Sequence, residues 1–363
     1  MKIAIITQPL GHNYGGILQN YALQQLLINL GHDPITLEKD YRQHISILQL
    51  ILELPKRIFT KYFLKKREFI LSEYNYNTIK TKSKKLFPFV AKYINHKYIK
   101  DHSLANFINY DSIIVGSDQV WRPIYNCGLL EKMFLSFIPE SSNIKRIAFG
   151  ASFGTFEWEF TDEQTSLCQN LIQNFDAVST REIDGVDLCK IHLNRKDAVN
   201  VLDPTLLLEK DDYLKLCKDI PITNEDLLFA YILDVDTNAK DQLEKIAQDK
   251  RLKLKLVSAD SECSLSVDEW LAMFRDAKMV ITDSFHGTVF SIIFNKEFYS
   301  IANQSRGGSR FSSLLGQFNL SNRLFNCIFD INYALKSINW GKVESLKQIK
   351  QQESINFLIN SIS

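Results

Sequence analysis

No two of the six cysteines, Cys127, Cys168, Cys189, Cys217, Cys263 and Cys327, form a C-x-x-C pair. That argues against a zinc site and a disulfide scaffold, and leaves reduced thiols in the cytosol as the economical reading. No apolar run approaches the ~18 residues expected of a spanning helix, and the apolar start Met1–Thr7 is too short for a secretory signal. Charge of one sign is lacking too. The 43 Lys and Arg are offset by 42 Asp and Glu, and the net +1 gives no reason to expect nucleic acid. What remains is ordinary for a soluble globular protein: 45% hydrophobic, 23% charged. A chain of 363 residues has room for two domains at the usual ~100–200 residues each.

The most informative stretch is Val280–Phe294. It opens apolar and β-rich, passes a short polar corner, and leaves as a second apolar run, which predicts strand, tight turn and helix. The corner places Ser284, His286, Gly287 and Thr288 at the carboxyl end of a buried strand, where open α/β sheets bind ligands. The first amides of the following helix favour an anion there. Taken alone, His286 also fits a satisfied structural histidine, and Gly287 a tight turn.

The same pattern recurs along the chain. Lys2–Thr7 predicts a strand, Ile17–Leu30 a helix stopped by Gly31, and Pro34–Leu37 a strand. The turn Asn13-Tyr14-Gly15-Gly16 between them is neither the dinucleotide fingerprint nor a P-loop. Further strands ending in polar corners are expected at 111–121, 146–154, 177–182 and 200–205, so a parallel sheet has one working edge. Residues 206–225 read as a connection. A second α/β pattern then begins with strands at 227–233 and 252–258 and a helix at 236–249. Another helix starts at Ser266, with Glu269 in capping-box spacing. Beyond a strand at 297–301, residues 303–310 predict a flexible loop bearing Arg306 and Arg310, whose planar forks suit carboxylate or phosphate.

Residues 41–100 differ in composition. From Lys56 to Lys100 there are 13 Lys and Arg against two acids, Glu68 and Glu73, with Phe and Tyr interleaved. Amphipathic helices are expected at 45–53 and 58–71. This basic insert is a solvated face, or a surface for peripheral contact with an anionic membrane or a phosphorylated lipid-linked substrate.

In order, Asn13–Leu23, Val115–Trp121, Ala151–Gly154, Ser179–Glu182, Leu202–Leu207 and Ile281–Gly287 together resemble the polysaccharide pyruvyl transferase family, over about residues 3–325. Each motif alone is weak; the ordered set is specific. The resemblance implies an α/β, GT-B-like fold of two Rossmann-like domains facing across a cleft. An N-terminal acceptor-side domain would span 1–208, a C-terminal phosphoenolpyruvate-side domain 222–325, and a helical tail 326–363. It also implies transfer of a pyruvyl group from phosphoenolpyruvate to a sugar of a cell-surface polysaccharide or its lipid-linked precursor, forming a ketal and releasing phosphate. The expected location is the cytoplasm, or its membrane face. No cofactor or metal is expected.

On that reading His286 is the proton donor or phosphate partner, and phosphoenolpyruvate is held by Ser284, Gly287, Thr288, Arg306, Arg310 and Arg181. Asn13, Gly15, Gly16, Gln19, Ser117, Asp118 and Gln119 would hold the acceptor. Ser284 stands where some members carry an arginine. Either Arg306 or Arg310 replaces it, or this branch uses another donor or reaction. Two alternatives stay open: a glycosyltransferase using a nucleotide-sugar on the same scaffold, and a non-catalytic glycan-binding protein.

Overall fold

A computed structural model describes residues 1–11, 13–39, 84–126, 128–233, 235–258, 265–302, 308–331 and 335–363. The helices expected at 45–53 and 58–71, and Arg306, lie outside the described residues.

In the first half, strands β1 (Lys2–Ile6), β2 (Asp33–Lys39), β3 (His96–Ile99), β4 (Ser112–Val115), β5 (Lys145–Ala151), β6 (Ala177–Thr180) and β7 (Val199–Asn200) form one sheet. Its order is β3-β2-β1-β4-β5-β6-β7, and every pairing is parallel. The second half holds β8 (Leu227–Tyr231), β9 (Lys253–Val257), β10 (Ala277–Thr282), β11 (Glu297–Ile301) and β12 (Leu324–Phe325), ordered β12-β11-β10-β8-β9 and again parallel. The central strands read as continuous apolar runs because helices cover both faces: Ile3–Ile6, Ser112–Val115 and Leu227–Tyr231 are buried throughout.

The helices that matter here are α1 (Tyr14–Asn29), α2 (Ile183–His192), α3 (Thr237–Lys250), α4 (Val267–Asp276), α5 (Phe285–Ile293), α6 (Ser309–Gln317) and α7 (Trp340–Ile362). The Ser266–Glu269 capping box forms reciprocally at the head of α4. Helix α1 is buried on nearly all sides, since it lies between the first sheet and the second half. Two of its buried amides are tied to β2: Gln24 Nε2 donates to Thr36 Oγ1 at 2.8 Å, and Thr36 Oγ1 to Asn20 Oδ1 at 2.9 Å.

One apolar cluster runs through both halves, from Ile3 and Ile17 to Trp270, Phe290 and Leu358. Tyr14 stacks on Trp270 with ring centroids 4.9 Å apart and donates its hydroxyl to Leu265 O at 2.7 Å. The last helix, α7, returns to the first half. Gln351 Nε2 donates to Leu206 O at 2.7 Å, and Leu202 N donates to Ser354 Oγ at 2.9 Å. No helix among the described residues is long and apolar enough to cross a membrane.

Strand order reverses between β1 and β4 in one sheet and between β8 and β10 in the other, and loops leaving such points form ligand crevices. The two carboxyl edges face each other.

In the segment that follows β3, His102 is enclosed by Phe107 and Phe137, with ring centroids 6.3 and 5.7 Å away. Burial, with Lys39 and Lys132 adding to it, pushes its imidazole down to about 4. The native state therefore keeps His102 neutral while the unfolded chain protonates it below about 6.5. Stability should fall as pH drops from about 6.5 towards 4, by roughly 2–3 kcal/mol from this group. Urea unfolding at pH 7 and 4.5 checks this: His102→Phe should remove that part of the pH dependence.

Candidate active site

The corner after β10 is built by local hydrogen bonds. Thr282 Oγ1 donates to Tyr231 O at 2.7 Å and accepts from Ser284 N at 3.0 Å. Ser284 caps α5, its Oγ accepting from Gly287 N at 3.3 Å. Gly287 is required by close approach: a Cβ there would stand 2.2 Å from Thr282 Oγ1. Asp283 Oδ1 accepts from Leu233 N at 2.6 Å, so the loops after β8 and β10 are tied together.

His286 thereby sits in the first turn of α5 and reaches across to the first half. Its Nδ1 lies over Gly15, where a Cβ would be only 1.9 Å away. Its Nε2 is 3.5 Å from Asp203 Oδ2, aimed at the carboxylate but without a formed hydrogen bond. Asp203 is fixed from the other side. Thr205 donates to Oδ1 from its backbone N–H at 3.1 Å and from its hydroxyl at 2.7 Å, and Arg181 Nη1 donates to Oδ2 at 2.8 Å. Arg181 Nη2 donates to Asp118 Oδ1 at 3.0 Å. The result is a line of contacts, His286–Asp203–Arg181–Asp118, spanning both halves.

The line is buried: the Arg181 side chain is 0% exposed and that of His286 10%. Burial pushes the Asp203 carboxyl up, but His286 and Arg181 outweigh it and hold the group below the usual carboxylate range. The same balance, with Arg181 the main counterweight, depresses Asp118. Burial lowers Arg181, and its acidic neighbours Asp118, Asp203 and Glu182 more than restore it. In Glu182 burial prevails and the carboxyl is raised. Arg181 lies 4.8 Å from the Phe285 ring and Arg310 5.2 Å from the same ring. Burial, with Arg181 adding to it, lowers Arg310 to about 10.

Of the residues expected at the site, His286, Arg181, Asp118, Gly15 and Arg310 are brought together. Arg310 is not in a loop: the helix α6 takes it into its first turn, where it is buried. Gln19 and Ser117 are 0% exposed. Gln19 donates to Thr7 Oγ1 and Gly16 O and accepts from Ser117 N, each at 3.0 Å, while Ser117 Oγ donates to Gly150 O at 2.8 Å. Their polar groups bind loops to one another. Thr288 is likewise buried, its hydroxyl engaged with Ser284 O and Ser300 Oγ. Asn13 caps α1 at Gly16, and Gln119 Oε1 accepts from Arg122 at 3.2 Å.

Asp203, Thr205, Glu182 and Phe285 carry no assigned role in the sequence reading. The available signal was Asp203-Pro204-Thr205 following a strand, with a hydroxyl two residues after the acid. A hollow of about 370 Å³ lined by Lys145, Asp176, Asp197 and Asn360 opens at the other edge of the first sheet, away from His286.

Against known families, the model for polysaccharide pyruvyl transferases matches residues 13–305. The chain belongs to the polysaccharide pyruvyl transferase family. It is therefore placed among transferases whose family implies a polysaccharide acceptor. A search of curated proteins gives no match. Among solved structures, this pyruvyl transferase relative is similar to UGT89C1 of Arabidopsis thaliana complexed with UDP-L-rhamnose. The identity is 7%, with 99% of this chain and 98% of that one covered and a TM-score of 0.52. The same plant protein without the ligand gives 8%, 99%, 99% and 0.52. UDP-GlcNAc 2-epimerase from Neisseria meningitidis bound to UDP-GlcNAc gives 9%, 99%, 99% and 0.47. At 7–8% identity the plant protein speaks to fold alone, and that fold is GT-B-like: two Rossmann-like halves facing each other.

Proposed function

We propose that the protein transfers the pyruvyl group of phosphoenolpyruvate to a sugar of a cell-surface polysaccharide or its lipid-linked precursor, forming a ketal. The observation that carries this reading is the imidazole of His286 held against buried Asp203 beside Arg310, where the carboxyl edges of both halves meet.

The reaction needs a proton on the methylene carbon, an oxocarbenium-like centre at the adjacent carbon, and attack there by one sugar hydroxyl. A second hydroxyl then displaces phosphate, so two carbon–oxygen bonds form and one to phosphate breaks. His286 supplies the proton, and Asp203, 3.5 Å from its Nε2, orients the ring. Arg181 and Thr205 hold Asp203 in place. Arg310 faces the carboxylate or phosphate, and the first turn of α5 adds its amide end, with Ser284, Gly287 and Thr288 shaping that turn. Gly15 admits the imidazole, Asp118 holds Arg181, and Gln19 and Ser117 fix the loops beside them. Asn13, Gly16 and Gln119 border the acceptor side. Low dielectric around these groups strengthens each electrostatic contact.

The test is release of inorganic phosphate from phosphoenolpyruvate with simple hexosides as acceptors, run beside UDP release from UDP-glucose and UDP-galactose. Acceptor-dependent phosphate release with mass gain of a pyruvate ketal is expected. Turnover of a nucleotide-sugar with inert phosphoenolpyruvate would overturn the reading.

A further inference from the structure

Large apolar side chains are rarely left in water without a reason when they cluster at a site. Tyr125 is 46% exposed and Phe156 62% exposed, and both belong to loops at the carboxyl edge of the first sheet. Tyr125 follows β4 and Phe156 follows β5, so they rise from neighbouring strands. Arg122 packs against Tyr125 and against the Gly154 turn that leads to Phe156. Its guanidinium is 5.4 Å from the Tyr125 ring centre and is locked by a two-pronged bond to Glu159, at 3.0 Å on each side. The loop carrying Phe156 presses on the same residue: a Cβ at Gly154 would stand 2.9 Å from Arg122 Cδ and 2.1 Å from Gln119 Oε1. The patch continues into the buried centre. Gln119 follows Asp118 of that line of contacts, and Tyr125 is among the groups that act electrostatically on Arg310.

The surface is therefore mixed in a specific way. Exposed aromatic rings on two adjoining loops accompany planar polar groups of Gln119, Arg122 and Glu159 that are already held rigid. A pyranose ring matches this composition, with an apolar C–H face for an aromatic ring and hydroxyls on its edge for amide, guanidinium and carboxylate. A charged partner protein or a lipid tail would not use the locked polar groups.

We infer that Tyr125 and Phe156 form a saccharide-binding platform that seats a hexose of the acceptor glycan against Gln119 and the Arg122–Glu159 pair. The platform rests on the proposed function for its occupant, and it assigns the sugar's place within that site. Its binding step needs no phosphoenolpyruvate, so it can be tested separately.

The experiment measures binding of p-nitrophenyl β-glucoside, β-galactoside, β-mannoside and N-acetyl-β-glucosaminide by saturation-transfer NMR, on the full chain without phosphoenolpyruvate. Tyr125→Ala and Phe156→Ala should each weaken the hexosides that bind by roughly tenfold. Phe156→Trp should restore a stacking face and hold affinity near the starting value. Phe329→Ala, at a side chain also 62% exposed but in the second half, is the control and should bind like the parent. Where turnover is seen, the loss should fall on the hexoside's half-saturation and spare that of phosphoenolpyruvate. Parent-like binding by both alanine variants, an equal loss in Phe329→Ala, or no binding of any hexoside by the parent protein would overturn the platform. Hexoside binding that depends on Tyr125 and Phe156 without phosphate release would instead keep the platform and remove the proposed reaction.

Discussion

Replacing His286 by alanine should cut acceptor-dependent phosphate release from phosphoenolpyruvate by about 10²- to 10⁴-fold, the usual weight of a positioned proton donor. The fold should persist, because Asp203 keeps its bonds from Arg181 and Thr205 when the imidazole is gone. Near-normal turnover by a folded variant would take His286 out of the mechanism. A companion substitution separates the ring's position from its presence. Gly15→Ala puts a methyl 1.9 Å from His286 Nδ1, so the ring must leave Asp203. Activity should drop almost as far as in His286→Ala, and overpacking should cost about 1–3 kcal/mol of stability. In the His286→Ala background the three ring atoms that crowd this methyl are gone, and within a helix alanine is preferred to glycine by up to about 1 kcal/mol. The sign of the Gly15→Ala effect should therefore reverse between the two backgrounds, a coupling that a double-mutant cycle reads directly.

Arg181→Met should be the most destabilising single change at the centre. It leaves Asp118 and Asp203 buried without their shared cation, and breaking such a pair costs about 3–5 kcal/mol. Arg181→Lys should recover only part of this, because one ammonium cannot reproduce two divergent bonds from a planar fork. The pH dependence carries the sign. In the parent protein both carboxyls sit below their ordinary value, so their contribution is present above about 3.8 and is lost as pH falls through the depressed values. Without Arg181 its share of that depression is lost and burial counts for more. The stability gap between parent and variant should narrow as pH falls from 7 towards 4. Urea unfolding across that range checks it, and the His102 contribution cancels in the difference.

Much of the centre is legible in the sequence because polar corners after apolar strands mark the working edge of a parallel sheet. His286, Arg181 and Asp118 all stand at such corners, and Gly15 opens the helix that follows the first of them. The double α/β pattern follows from period and turn residues alone, although the stretch 206–225 read as a connection contains a short helix, Lys210–Leu216. Other features depend on partners far away in the chain. Asp203 acquires its role only when Arg181 and His286 arrive from other elements. Gln19 looks like a ligand residue from its neighbourhood, yet packing makes it a tie between loops. Arg310 reads as part of a loop because of Gly307 and Gly308, whereas α6 starts at Ser309 and carries it inward. The short strands β3 and β12 contain too few residues to show a period. No local pattern reports whether Tyr125 or Phe156 faces water.

The return of α7 bears on how the protein is made. Ser354 and Gln351 brace the turn around Asp203 across 152 and 145 residues of chain. During synthesis that turn must wait, its backbone groups answered by solvent, until the closing helix has emerged from the ribosome. A nascent chain halted before residue 340 would carry every charged member of the centre and lack the two side chains that brace the turn beside Asp203.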